Sequence, residues 1–140
     1  MQLKIKKLQP DAVIPKYAIH GDAGMDLFAL EEITINKNQR VQIPTGVAME
    51  IPEGHVGLIW DKSGLSHKYG LKTLGGVIDA GYRGEIKVGI INLGDDNYKV
   101  GKGDKIAQMI IQQKVTVEIV EAEELDDSQR GDGAFGSTGK

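Results

Sequence analysis

Residues 47–60 read Val-Ala-Met-Glu-Ile-Pro-Glu-Gly-His-Val-Gly-Leu-Ile-Trp. Val47, Met49 and Ile51 alternate with Ala48 and Glu50, and Val56, Leu58 and Trp60 alternate with His55, Gly57 and Ile59. A period of two sends successive side chains to opposite faces of an extended chain, which marks strands rather than helices. Pro52 and Gly54 break the rhythm between the two runs, so the stretch reads as strand, turn, strand. The pattern returns at Ile86, Val88 and Ile90 and again at Val115, Val117 and Ile119, with Pro44 and Asp95-Asp96 as further punctuation. Only Ser63 to Tyr69 suggests a helix, a short one stopped by Gly70. Closely spaced strands joined by turns predict an all-β barrel or sandwich.

Composition agrees with that reading. The chain has 140 residues, one domain's worth of material, with 19 glycines and 4 prolines to terminate short strands. Hydrophobic residues make up 40% and aromatics only 5%, so the core must be mostly Val, Ile and Leu. With 17 basic and 20 acidic residues the net charge is −3, which disfavours binding of a nucleic-acid polymer. The absence of cysteine excludes a disulfide scaffold, a thiolate nucleophile and a cysteine-ligated zinc. His20, His55 and His67 lie far apart, without paired metal spacing. The first ten residues lack the apolar core of a signal peptide, and no run reaches membrane-spanning length, so no membrane association is predicted. These features point to an intracellular enzyme or binding module.

The pattern changes at Glu121. Residues 121–127, Glu-Ala-Glu-Glu-Leu-Asp-Asp, form an acidic run, and a glycine-rich segment follows. Such a tail cannot bury enough apolar surface to order itself. The chain therefore divides into a β domain, residues 1–120, and a linker with a C-terminal arm, residues 121–140.

Five stretches could carry chemistry. Ala23-Gly24-Met25-Asp26-Leu27 sets one carboxylate beside a glycine; alone, it reads as a strand edge or turn. Asp61-Lys62-Ser63-Gly64 offers a cation, a hydroxyl and free backbone N–H groups to a phosphate, although many strand-to-turn junctions look similar. In the third stretch, residues 71–85, Gly75-Gly76 suggests a hairpin whose backbone a flat ligand could approach. Asp79 and Tyr82 follow, a carboxylate and a ring suited to water activation and sugar packing, or simply an acidic turn beside a half-buried tyrosine. The fourth places Gln108 on the strand face shared by Ile106 and Ile110, where an amide meets solvent, a ligand or a subunit. The fifth, Arg130 to Gly139, combines glycines with Arg130, Ser137 and Thr138, all phosphate donors. It is not a P-loop, since Ala134 stands where that motif needs glycine.

Taken in order, Ala-Gly-Met-Asp-Leu, Lys-Ser-Gly-Leu, the Gly75 to Ile86 stretch, residues 103–111 and the segment from Arg130 resemble the five motifs of the trimeric deoxyuridine triphosphatases (dUTPases). The resemblance covers residues 23–139. It implies a β-barrel or jelly-roll subunit, a homotrimer with active sites shared among chains, and Mg²⁺-assisted hydrolysis of dUTP to dUMP and pyrophosphate in the cytoplasm, or in a host-cell interior if the chain is viral. By position, Asp79 resembles the carboxylate that deprotonates the attacking water, and Tyr82 the ring packed under deoxyribose. Gly76 and Val77 would read the uracil edge, with Ile78 and Lys87 completing the substrate wall. Lys62, Ser63, Gly64 and Gln108 would hold phosphates. Arg130, Gly136, Ser137 and Thr138 would close on the outer phosphates while Phe135 stacks on the base. Asp26 would act on the metal through water, the phosphates holding most of its charge.

The chain departs from the family pattern at Lys62, usually Arg, at Asp61, usually Pro or Ala, and at Ala134, often Gly. Its stretch between Gly70 and Asp79 is also short and lacks Asn. Two alternatives share the resemblance. A dCTP deaminase of this fold needs a proton-shuttling glutamate, which the Gly70–Asp79 stretch does not offer, and Tyr82 favours the dUTPase branch. A regulatory nucleotide-binding trimer would not need the intact Asp79 and Arg130.

Overall fold

The computed structural model describes residues 1–134. Two antiparallel four-stranded sheets face each other across one core. The first is built from β1 (Lys4–Lys7), β4 (Arg40–Glu50), β8 (Glu85–Asn92) and β6 (Leu71–Leu74), in that order. The second runs β2 (Met25–Phe28), β10 (Lys105–Gln113), β5 (His55–Trp60) and β7 (Val77–Asp79). A small pair, β3 (Ile33–Ile35) with β9 (Tyr98–Val100), closes one end. This is the all-β sandwich that the alternation predicts, of the jelly-roll type that the resemblance implies.

The alternation has a direct cause in burial. On β8, Ile86, Val88 and Ile90 are almost fully buried while Lys87 points out, and they share one core cluster with Ile43 and Val47 of the neighbouring β4 and with Leu27 and Met109 of the opposite sheet. Each such side chain contributes about 1.5–3 kcal/mol by leaving water, which offsets the entropy of ordering short strands. Asn92 is also fully buried, and its amide is satisfied. It donates to the carbonyls of Ile35 (2.9 Å) and Asp96 (2.8 Å) and accepts from the Gly94 amide, tying the small pair to the end of β8. The single helix among the described residues, α1 (Ser63–Tyr69), matches the sequence expectation, and Gly70 ends it in the left-handed region with its amide turned back on Leu65 and Ser66.

Two expectations fail. Residues 71–79 do not form a hairpin: β6 pairs with β8 in the first sheet, whereas β7 pairs with β5 in the second. Gly75 and Gly76, both at positive φ, carry the chain across from one sheet to the other. Leu71, 4% exposed, commits β6 to the core beside β8, so the strand is not free to fold back on β7. Val115, Val117 and Ile119 form no strand either. Gln113 pairs with His55, the first residue of β5, and Lys114 N bonds to Gly54 O as the last rung, after which β10 has no strand partner among the described residues. Val115 is accordingly 87% exposed and Ile119 92%.

Candidate active site

Strand register assembles half of the candidate site. Gln108 on β10 stands opposite Asp26 on β2 and opposite Trp60 on β5, so these three positions form one row across the second sheet. The chain then leaves β5 through Asp61 and Lys62 into Ser63 and Gly64, the exposed first residues of α1. Lys62 turns back and pairs with Oδ1 of Asp26, whose side chain is 4% exposed. A second ammonium, Lys105, lies 2.7 Å from Oδ2 of the same carboxylate. Burial alone would raise the Asp26 pKa, but Lys105 and Lys62 outweigh it and hold the carboxyl below the usual range.

Gln108 and Asp61 fix the turn itself. Gln108 donates to the Asp61 carbonyl at 2.9 Å. Gly24 makes room for this amide, since a Cβ there would sit 2.5 Å from Gln108 Oε1. The Asp61 carboxylate does not pair with Lys62. It accepts from the Thr73 amide and hydroxyl, both at 2.7 Å, and from Lys72 at 2.8 Å, binding the end of β5 to β6. Burial raises its pKa and these donors lower it, with a net depression. Proline at this position would stiffen the backbone; aspartate stiffens it here by cross-linking.

The other half lies at the far end of β5. Asp79 ends β7, exposed to solvent, and the Tyr82 amide closes the turn onto its carbonyl at 3.0 Å. The Tyr82 ring is 45% exposed, its hydroxyl bonded to Glu85 O, and Arg83 folds back onto the carbonyls of Ala80 and Tyr82. Tyr82, Ile78 and Lys87 line one open groove of about 450 Å³ with Gln42 and Glu85. A smaller cleft of about 160 Å³ lies against Trp60, Thr73, Gly76 and Val77. Gly76 is obligatory there: its φ is +106°, a Cβ would meet Ile59 O at 2.8 Å, and its own carbonyl accepts from Ile59 N.

One chain does not bring the two halves together. Asp79 pairs with Val56, four residues before Trp60, a separation of about 14 Å at the usual strand rise. Arg130 sits in an exposed turn, where its Nε donates to Gly133 O. Phe135, Gly136, Ser137 and Thr138 lie outside the described residues. Lys105 escapes a reading of the sequence because it precedes Gln108 by three, which strict alternation assigns to the opposite face. The ladder to β2 slips between Lys105 and Ala107, and this bulge re-aims Lys105 toward Asp26.

The residues fit Mg²⁺ only in company with a ligand. Among the described residues no group of three His, Cys, Asp or Glu converges. Asp26 Oδ2 is buried without a hydrogen bond, the nearby Lys105 ammonium being poorly directed. A carboxylate already flanked by two ammonium groups suits only a cation that arrives on phosphates and keeps much of its water between itself and Asp26, as Mg²⁺ does.

A cation-bearing turn thus stands at one end of β5 and a solvated carboxylate beside a ring at the other. The dUTPase family model matches residues 11–139. Deoxyuridine 5'-triphosphate nucleotidohydrolase of Clostridium tetani is 51% identical over 140 residues, spanning 99% of this chain and 97% of the relative. The enzyme of the same name from Hydrogenobaculum sp. (strain Y04AAS1) is 48% identical over 142 residues, with 99% of each chain covered. Among solved structures, a mutant dUTPase of Staphylococcus bacteriophage 80alpha with dUpNHpp superposes with a TM-score of 0.93 at 32% identity, over 99% of both chains. The dUTPase of phage phi11, described with a structural Mg(II) ion, gives 0.83 at 31% identity, over 89% of this chain and 98% of that one. The chain belongs to the dUTPase family.

Proposed function

We propose that this protein hydrolyses dUTP to dUMP and pyrophosphate in the cytoplasm, as a homotrimer with active sites shared between chains. The match to the dUTPase family along residues 11–139 carries this reading. The same reaction keeps uracil out of DNA and supplies the precursor of thymidylate.

Asp79 takes the proton of a water that attacks the α-phosphate, and the bond to the pyrophosphate oxygen breaks. An exposed carboxylate with no cation paired to it among the described residues is free to accept that proton. Tyr82 packs under the deoxyribose and leaves no space for a 2′-hydroxyl, while the Gly76 and Val77 backbone reads the uracil edge. Ile78 and Lys87 wall the groove. Lys62, Ser63, Gly64 and Gln108 grip the phosphates, and Arg130, Phe135, Gly136, Ser137 and Thr138 close over them from another chain. Asp26 would hold Mg²⁺ through water, and the ion, bound with the triphosphate, would supply neutralisation of the charge on the leaving pyrophosphate.

Two observations support subunit sharing. The hydrolytic and phosphate-gripping groups are about 14 Å apart along β5. The alternating run at Val115 to Ile119 also stands exposed, without a strand partner among the described residues. Incubation with dUTP, dCTP, dTTP and UTP, with and without Mg²⁺, tests the reading. The expected products are dUMP and pyrophosphate from dUTP, with little turnover of the others, because a site that pairs one base edge leaves groups unpaired with the wrong base. Ammonia released from dCTP would install the deaminase in its place.

A further inference from the structure

We propose that Lys105 is a positioning residue of this reaction: it keeps the buried Asp26 carboxylate paired while Lys62 leaves it for the triphosphate. The proposal rests on the dUTP-hydrolysing reading of the site. Lys62 stands where the family pattern usually has an arginine and is the proposed phosphate ligand, yet here its ammonium is bonded to Asp26 Oδ1. To reach a phosphate it must give up that contact. A buried carboxylate stripped of its one partner is strongly unfavourable, so a site with Lys62 alone would hold the lysine back. The Lys105 ammonium, 2.7 Å from Oδ2, removes that obstacle.

The two lysines differ in freedom. Lys62 stands in the turn between β5 and α1, directly before Ser63 and Gly64. Lys105 belongs to β10, paired opposite Phe28, and the preceding Asp104 carbonyl accepts from Ala29 N at 2.9 Å, so its backbone is fixed on both sides of the bulge. Two cations on one carboxylate leave one positive charge to spare. Lys62 is placed to spend it on an anion, and Lys105 is placed to stay.

The test is a double-mutant cycle read by calorimetric binding of dUpNHpp without divalent metal, beside dUTP turnover by the wild type. Lys105→Met should weaken dUpNHpp binding at least tenfold. In an Asp26→Asn background, where Lys62 is no longer held, the same change should cost less than twofold. Lys105→Arg, which retains the charge, should bind within threefold of wild type. Should Lys105→Met fail to fold by circular dichroism, Lys105→Gln enters the same cycle. Equal losses in both backgrounds would overturn the proposal, since Lys105 would then be a direct phosphate ligand. Wild-type affinity in the single variant would overturn it as well. A wild type that neither binds dUpNHpp nor cleaves dUTP removes the functional reading itself, whereas one that does both while the cycle fails removes only the role of Lys105.

Discussion

The two ends of strand β5 are built on opposite plans. Beyond Trp60 the charges are already engaged: Asp26 with two lysines, Asp61 with Lys72 and Thr73, Gln108 with a backbone carbonyl. Beside Val56 the Asp79 carboxylate and Tyr82 ring stand in solvent. Groups that grip a polyanion profit from being held in place before it arrives, so that little beyond the release of Lys62 from Asp26 is needed on binding. A base that must meet a water needs access instead. One end is preorganised and the other is open to solvent.

The hydrolytic end yields the largest expected effect. Asp79→Asn should lower kcat at least about 10²-fold while dUpNHpp binding persists, since loss of a general base typically costs that much. Wild-type turnover in this variant would place water activation elsewhere and dissolve the contrast. A chain ending at Asp127 should fold normally and lose most of its turnover, the Arg130 segment being needed for closure and not for the core. Failure to fold would make the tail part of the sandwich.

At the engaged end the next effect is on stability. Asp61→Ala removes the acceptor of three hydrogen bonds between β5 and β6, and about 2 kcal/mol should be lost, lowering Tm by several degrees. The pH dependence follows from the depressed pKa of Asp61 and of Asp26. A carboxyl with a lower pKa folded than unfolded binds fewer protons in the native state. Its contribution is therefore complete above the unfolded value near about 4 and fades as pH falls through the folded one. Melting temperatures measured from pH 7 to pH 3 should stay level to about pH 5 and then fall, and Asp61→Ala should fall less steeply. Parallel curves would show that Asp61 is not among the groups responsible.

The contrast also explains what the sequence could reveal. Alternation is local, so the strands at Val47, Val56 and Ile86, the helix at Ser63 and its stop at Gly70 are legible residue by residue. Pairing is not local. Nothing near Gly75 says that β6 joins β8 while β7 joins β5, and nothing in Val115 to Ile119 says that β5 has already ended. Asp26 and Gln108 could be picked out, but Lys105 could not, because a single bulge residue reverses its face. The partner of Asp61 was equally hidden: Thr73 is twelve residues on, while Lys62 is adjacent and engaged elsewhere.

The smallest effects concern Lys62, where the preorganised end departs from the family pattern. Lys62→Ala leaves Asp26 with Lys105 but removes a charge from the triphosphate, so kcat/KM for dUTP should fall about tenfold, the scale of one charge-assisted contact. An alanine variant as active as wild type would withdraw position 62 from the phosphate grip. Lys62→Arg is the finer probe. Had Asp61 held Lys62, a longer side chain would be misplaced, but Asp61 is occupied by Lys72 and Thr73 and imposes nothing on it. The guanidinium can keep one edge toward Asp26 and offer the other to phosphate as a planar fork, which an ammonium cannot do. Steady-state kinetics at saturating Mg²⁺ should then show kcat/KM rising by no more than about fivefold, or about 1 kcal/mol of transition-state stabilisation. A tenfold fall would mean that a two-pronged Arg–Asp26 pair holds the side chain back, and that lysine stands at position 62 because it lets go of Asp26 more readily.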